Sequence, residues 1–375
     1  MATTAHIGDA YRDGDGNWTF SGSYDPDDVI FLLNPARIEP TDVAEKERLI
    51  QSGARHYSEM LSAEPLPDAR YLRLYDMALA ANAARVRHDV ERLARAIAER
   101  PQTASSCVIV SLARAGTPIG ILLKRALRRI GIEAWHYSVS IIRGRGLDQN
   151  ALAYIARRHG TENALFVDGW TGKGAIRGEL DRALASGTSG FAPFLAVIAD
   201  PAGCADLAAT FDDYVIPGGL LNGIVSGLVS RSVLSDPLVG PGDFHACLAM
   251  NDHAPSDLSR AYIEAIDGAG EWQPTTAPWS AARAAEIRVA AQETIAAIAA
   301  ECAVRDRNRI KPGIAEATRA ILRRVPDRVY VQRRGDPDIA HIELLAGEAG
   351  VPVVERNLRS YRAMTIIKDL GGDQQ

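Results

Sequence analysis

A chain of 375 residues is longer than one hydrophobic core usually organises, so two or more domains are expected. With 47% hydrophobic residues, 24% charged residues and a formal net charge of -5, the composition is that of an ordinary folded protein, and a cytoplasmic location is the expectation. No run of 18 apolar residues and no CxxC pair among Cys107, Cys204, Cys247 and Cys302 occurs, which argues against a membrane span, a structural zinc site and a disulfide scaffold.

In chain order, residues 1–100 read as a helical region packed on the main domain, with RLYDMALAANAARVRHDVERLARAIAER (73–100) as an amphipathic run. Residues 101–266 form that main domain, where apolar runs alternate with helical ones. CVIVSL (107–112) precedes TPIGILLKRALRRIG, and AWHYSVSII (134–142) precedes RGRGLDQNALAYIARRHG. ALFV (164–167) precedes a helix beginning near Gly174, FLAVIA (194–199) precedes PAGCADLAATF read as helix, and YVI (214–216) closes the series. The pattern predicts an α/β fold with a mainly parallel five-stranded sheet covered on both faces. Ligands of such sheets sit beyond the C-terminal ends of the strands. DGAGEWQPTTAPWS (267–280) reads as a linker and 281–304 as a connecting Ala-rich helix. Residues 305–375 read as a small α/β domain of helix, strand, helix and strand. It is basic: 305–369 holds 14 Lys+Arg against 9 Asp+Glu, which leaves the rest of the chain at -10 and points to different partners for the two parts.

Three loops carry the chemistry. NALFVDGWTGKGAI (163–176) gives a strand, a glycine loop around Lys173 and a helix, an order that aims backbone N–H groups and a helix N-terminus at one spot where phosphate binds. Walker-type ATP or GTP hydrolysis is not implied, because three residues separate Gly169 from Lys173 and Gly174 follows the lysine. SLARAG (111–116) repeats the strand-to-helix turn with Arg114. SIIRGRG (140–146) carries Arg143 and Arg145 on a glycine-hinged loop able to close over an anion. Singly, Asp168 could cap a turn and the arginines could be solvated; jointly, three loops at one sheet edge point to an anionic ligand.

These loops resemble those of the type I phosphoribosyltransferases. The resemblance implies a phosphoribosyltransferase-type sheet and phosphoribosyl pyrophosphate as ligand, with Ser111, Arg114, Ala115, Gly116 and Thr117 at the pyrophosphate. It places Thr171, Gly172, Lys173 and Gly174 at the ribose 5-phosphate, Asp168 at the ribose and the developing cation, and Arg143 or Arg145 on the lid. It also implies Mg2+ held mainly by the pyrophosphate of the substrate, and an unidentified base-like acceptor in a pocket formed by residues 213–231. More narrowly, SGSYDPDDVIFLL, KERLIQSGARHYSEML, FVDGWTGKGAI, ADPAGC and SGLVSR look like the phosphoribosyltransferase-like proteins of tellurite-resistance gene clusters, over roughly residues 21–370. Members of that family end in a Pelota/L7Ae-like RNA-binding domain. Carried over, Lys311, Gly313 and Arg319 would contact RNA, with Arg333 and Arg334 adding phosphate contacts. The chain departs from the broader pattern at Gly169, which stands where a second acidic residue is usual.

Two alternatives stay open. The single Asp168 suits a sensor that binds the ligand without turning it over. A cysteine-protease label also attaches to proteins that look like this one; Cys204 would be the nucleophile, at a helix N-terminus, with His245 or His136 as its base.

Overall fold

The computed structural model describes residues 11–369 apart from 15, 186–188, 237 and 275–276. β1 (Ile30–Leu32) is followed by the long helix α1 (Ala69–Ala98), whose first turn is capped by the Asp68 carboxylate accepting from the Tyr71 amide at 2.7 Å. Strands and helices then alternate as β2 (Ser106–Ala113), α2 (Gly116–Arg129), β3 (Glu133–Ile142), α3 (Gln149–His159), β4 (Ala164–Trp170), α4 (Ala175–Leu184), β5 (Leu195–Ala199) and β6 (Leu207–Thr210). After the Ala-rich helix α5 (Ala281–Glu301) come β7 (Ile310–Pro312), α6 (Ile314–Arg323), β8 (Pro326–Val331), α7 (Ala340–Glu348), β9 (Val353–Glu355) and β10 (Ala363–Ile367).

The main sheet runs β6-β5-β4-β2-β3-β1 with every neighbouring pair parallel, and the short strand Gly146–Leu147 turns back antiparallel on β3. A parallel sheet is covered on both faces, so its strands are apolar at successive positions. In β2, Val108, Val110 and Leu112 pack with Leu152, Ile155 and Leu180 of α3 and α4. Cys107 and Ile109 pack with Leu93, Ile119 and Leu122 of α1 and α2 on the other face. Burial of each large apolar side chain here contributes about 1.5–3 kcal/mol relative to exposure.

The small sheet runs β7-β10-β8-β9, antiparallel except for β8 with β9. Ile314, Val329 and Ile342 of this unit belong to the same continuous apolar cluster as the α1 and α2 face of the main sheet, so the C-terminal unit is docked on the core. Among the described residues no helix is long and apolar enough to cross a membrane.

The mainly parallel α/β architecture and the small C-terminal α/β unit match expectation, but the strand inventory differs. Residues 30–32, in the region read as helical, form β1 and pair with β3. Residues 201–211, read as a helix, form a turn and then β6, and 214–216 form no strand. The cause is local: the Asp200 carboxylate accepts from the amides of Cys204 at 2.8 Å and Ala205 at 3.2 Å, and Gly203 takes φ 63°, so the chain turns before a helix can start.

Candidate functional site

β2 and β4 are neighbours in the sheet, so the loops leaving their C-terminal ends lie side by side. Gly116 permits their close approach, since a Cβ there would sit 2.3 Å from the Val167 carbonyl oxygen. The β2 loop leads directly into α2, and the β4 loop passes through Gly174 at φ 82° into α4. Between them opens a cavity of about 340 Å3. The core lines it with Arg114, Ala115, Arg143, Asp168, Trp170, Thr171, Gly172, Lys173 and Gly174, and the C-terminal unit lines it with Lys311, Pro312, Glu316, Arg319 and Arg323.

Specific contacts hold the C-terminal unit over the β4 loop. The Tyr361 hydroxyl donates to the Gly172 carbonyl at 2.8 Å, and a Cβ on Gly172 would meet Glu316 at 3.0 Å. Lys173 Nζ donates to the carbonyls of Arg307 at 2.8 Å and Ile310 at 3.3 Å. α6 has no side-chain cap from its own segment; instead the Asp213 carboxylate of the core accepts from the Ile314 amide at 3.0 Å and from the Arg362 amide at 2.8 Å. The Arg362 guanidinium pairs with Asp212 at 2.8 Å and with Asp336 and Asp338 at 3.0 Å each, and Arg85 of α1 meets Asp212 as well.

The charges of the cavity are perturbed by this enclosure. Asp168 Oδ1 accepts from the Gly169 amide at 2.8 Å. Burial pushes the Asp168 carboxyl up to about 6, with the Gly169 amide and then Arg319 pulling the other way. Burial, followed by Lys311 and Arg143, pushes the Lys173 ammonium down to about 8. Arg114, Arg143, Lys173, Arg177, Arg231, Lys311, Arg319 and Arg323 line the space against the carboxylates of Asp168 and Glu316, which suits a ligand bearing several negative charges.

The structure therefore gathers Asp168, Arg114, Ala115, Thr171, Gly172, Lys173, Gly174 and Arg143 at one site, together with Lys311 and Arg319 from the expected RNA face. Other predicted residues are placed differently. Ser111 Oγ donates to the Gly116 carbonyl at 3.0 Å and lies 2.7 Å from His136 Nε2, and the Thr117 hydroxyl lies 2.8 Å from that of Ser138. Both are fully buried and support the loop from outside the cavity lining, as does Gly116. The 143–146 loop is a tight hairpin turn, closed by the Arg145 amide donating to Ile142 at 2.9 Å; Arg143 lines the cavity and Arg145 pairs outside it with Glu59 at 2.9 Å. Gly313 is buried behind the cavity wall against Asp213. Arg333 and Arg334 are exposed beyond β8, away from the cavity lining. Trp170, Glu316, Arg323 and Arg177 line the site unforeseen, whereas Asn222 and Arg231 come from the 213–231 stretch expected to form the acceptor pocket; a tryptophan set inside a glycine loop was the one signal available, and Arg319 stacks on it at 4.8 Å.

The cysteines lack an activating environment. Cys204 lies in the Asp200 turn and not at a helix start, and burial together with the Asp200 charge pushes its thiol up to about 11. Burial raises Cys107 to about 12 and raises Cys247 as well. His136 is bonded to Ser111 and His245 to Ser140 at 2.8 Å, and among the described residues no cysteine is hydrogen-bonded to a histidine.

Fold and site together define a two-unit α/β protein in which a basic domain closes over two glycine loops at the edge of a parallel sheet. Within that class, the chain belongs to the family described as "Tellurite-like stress resistance cysteine protease StiP", which matches residues 22–267, and residues 289–369 match the PELOTA RNA binding domain. "Cysteine protease StiP" of Acinetobacter baylyi is 41% identical over 367 residues, covering 94% of this chain and 95% of its own. Among solved structures, hypoxanthine phosphoribosyltransferase of Trypanosoma cruzi aligns with TM-score 0.27 at 14% identity over 36% of this chain and 82% of its own. The same enzyme in complex with the product IMP gives TM-score 0.28 at 13% identity over 36% and 79%.

Proposed function

We propose that the cavity binds phosphoribosyl pyrophosphate and transfers its phosphoribosyl group to an acceptor, while the C-terminal domain contacts RNA. The observation that carries this reading is the position of Asp168 between two glycine loops on adjacent parallel strands, within a cavity lined largely by cations. The loop holding Arg114 and Ala115 takes the pyrophosphate, and the loop from Thr171 to Gly174 takes the 5-phosphate at the start of α4. In the reaction the C1–O bond to pyrophosphate breaks, pyrophosphate leaves with the electron pair, and the acceptor bonds to C1 and gives up a proton. The Asp168 carboxylate stabilises the positive charge that develops on the sugar. Among the described residues no three His, Cys, Asp or Glu side chains gather as a metal site. Mg2+ would rest mainly on the oxygens of the ligand and would supply charge that offsets that of the leaving pyrophosphate.

One feature favours a second reading: Gly169 leaves the β4 loop with a single carboxylate, as a sensor without turnover would have. Calorimetric titration with phosphoribosyl pyrophosphate and Mg2+, followed by a pyrophosphate-release screen against candidate bases, separates the two. Binding with release is expected; binding without release selects the sensor, and absence of binding overturns both. Peptide cleavage lost in Cys204→Ala would point to the activity in the name of the relative.

A further inference from the structure

The cations of the cavity differ in how many acceptors the protein itself offers them. On the core side, Arg114 meets Glu64 and the Val229 carbonyl at 2.8 Å, Arg177 meets Asp181 at 2.8 Å and also Asp206, and Lys173 meets two carbonyls. The opposite wall differs. The Lys311 ammonium has no hydrogen bond or ion pair among the described residues, and Glu316 and Asp306 act on it only through their charge. The Arg319 Nε–H is buried without an acceptor, while its guanidinium lies 4.8 Å over Trp170 and 3.7 Å from Glu316. Arg323 reaches the same wall with the Asn222 side-chain oxygen as its partner. All three cations lie in the stretch that matches the PELOTA RNA binding domain, yet they line the same cavity as Asp168.

We propose that Lys311, Arg319 and Arg323 form a phosphate clamp for a second ligand of this cavity, and that this ligand carries a phosphomonoester, as a free nucleotide or an RNA end does. The identity of the first ligand as a phosphoribosyl compound rests on the reading above; the clamp rests on the three cations that this wall sets around the one carboxylate of Glu316. Two guanidinium groups suit the oxygens of a phosphate bidentately, and the lysine adds a point charge. An uncharged base would leave three cations of this wall facing one carboxylate, that of Glu316. Acceptor specificity then resides in the C-terminal domain.

The test uses the full chain and an RNA oligonucleotide carrying a 5′-phosphate, a 3′-phosphate or neither, with adenosine 5′-monophosphate and adenosine as small probes. Removing the terminal phosphate is expected to weaken binding by about tenfold, the loss of one charge-assisted contact set. The double variant Lys311→Ala, Arg323→Ala should bind phosphorylated and unphosphorylated probes alike, whereas Arg323→Lys should keep part of the difference. Discrimination seen with the mononucleotide identifies a free nucleotide as the source, and discrimination seen only with the oligonucleotide identifies an RNA end. Equal affinity for phosphorylated and unphosphorylated forms of both probes overturns the clamp, as does unchanged discrimination in the double variant when its melting temperature matches that of the parent. If phosphoribosyl pyrophosphate fails to bind while terminal phosphates are still discriminated, the clamp stands and the phosphoribosyl reading falls.

Discussion

Asp168 and Lys173 line one cavity with their ionisations drawn towards neutrality from opposite sides, to about 6 and about 8. The proposed reaction needs Asp168 ionised as charge develops on the sugar and Lys173 protonated to hold a phosphate. Phosphoribosyl transfer is therefore expected to rise as pH passes about 6 and to fall as pH passes about 8. A profile of kcat/KM for pyrophosphate release reads this directly; Lys173→Arg should carry the falling limb to higher pH, and an unchanged limb removes Lys173 from the site. Asp168→Asn should leave ligand affinity within about threefold, since an amide still bonds hydroxyls, and should lower release by about a hundredfold or more. Equal loss of binding and release would show that Asp168 acts on the ground state alone. Both residues were legible because they stand within one glycine loop after a buried strand. The burial of Ser111 and Thr117 was not, because their partners His136 and Ser138 come from the neighbouring strand β3.

At the scale of elements, the long apolar runs of β2 and β3 were legible because a strand covered on both faces needs no alternation. Short elements were not. β1 has three residues, and β6 lies behind a turn that the Asp200 side chain dictates. The wall of the cavity built by α6 was equally hidden, since Glu316 meets Gly172 only through the tertiary fold. α6 starts at Gly313 and is capped from outside by Asp213, whose carboxyl burial lifts to about 7, against the amides of Arg362 and Ile314 and the charge of Arg362. A carboxyl whose folded pKa lies above its unfolded one stabilises the fold most at low pH, and that contribution fades as pH rises towards the folded value. The parent is thus expected to lose more stability than Asp213→Asn between about pH 4 and about pH 7, because the amide does not titrate, although its single oxygen can accept from only one of the Ile314 and Arg362 N–H groups. Thermal melts of both proteins across that range check it, and parallel curves would detach Asp213 from the pH dependence.

For the whole molecule, the decisive fact is that one apolar cluster runs from the main sheet through α1 and α2 into α6, β8 and α7. The ion network of Arg362 with Asp212, Asp336 and Asp338 ties the same two units from the polar side. A shared core couples the stabilities of the two units, because parting them would expose apolar residues of both to water. The two units should then unfold in a single calorimetric transition, unlike domains joined only by a linker. A ligand that bridges both walls stabilises the folded molecule by mass action, about 2.7 kcal/mol at a hundred times its dissociation constant. Phosphoribosyl pyrophosphate with Mg2+ is therefore expected to move that one transition upward as a unit. Arg362→Ala, which frees the carboxylates of Asp212, Asp336 and Asp338 from their shared partner, should lower the transition and can split it. Two transitions in the unmutated protein, of which the ligand moves only one, would mean that the C-terminal unit closes the cavity without sharing its energetics.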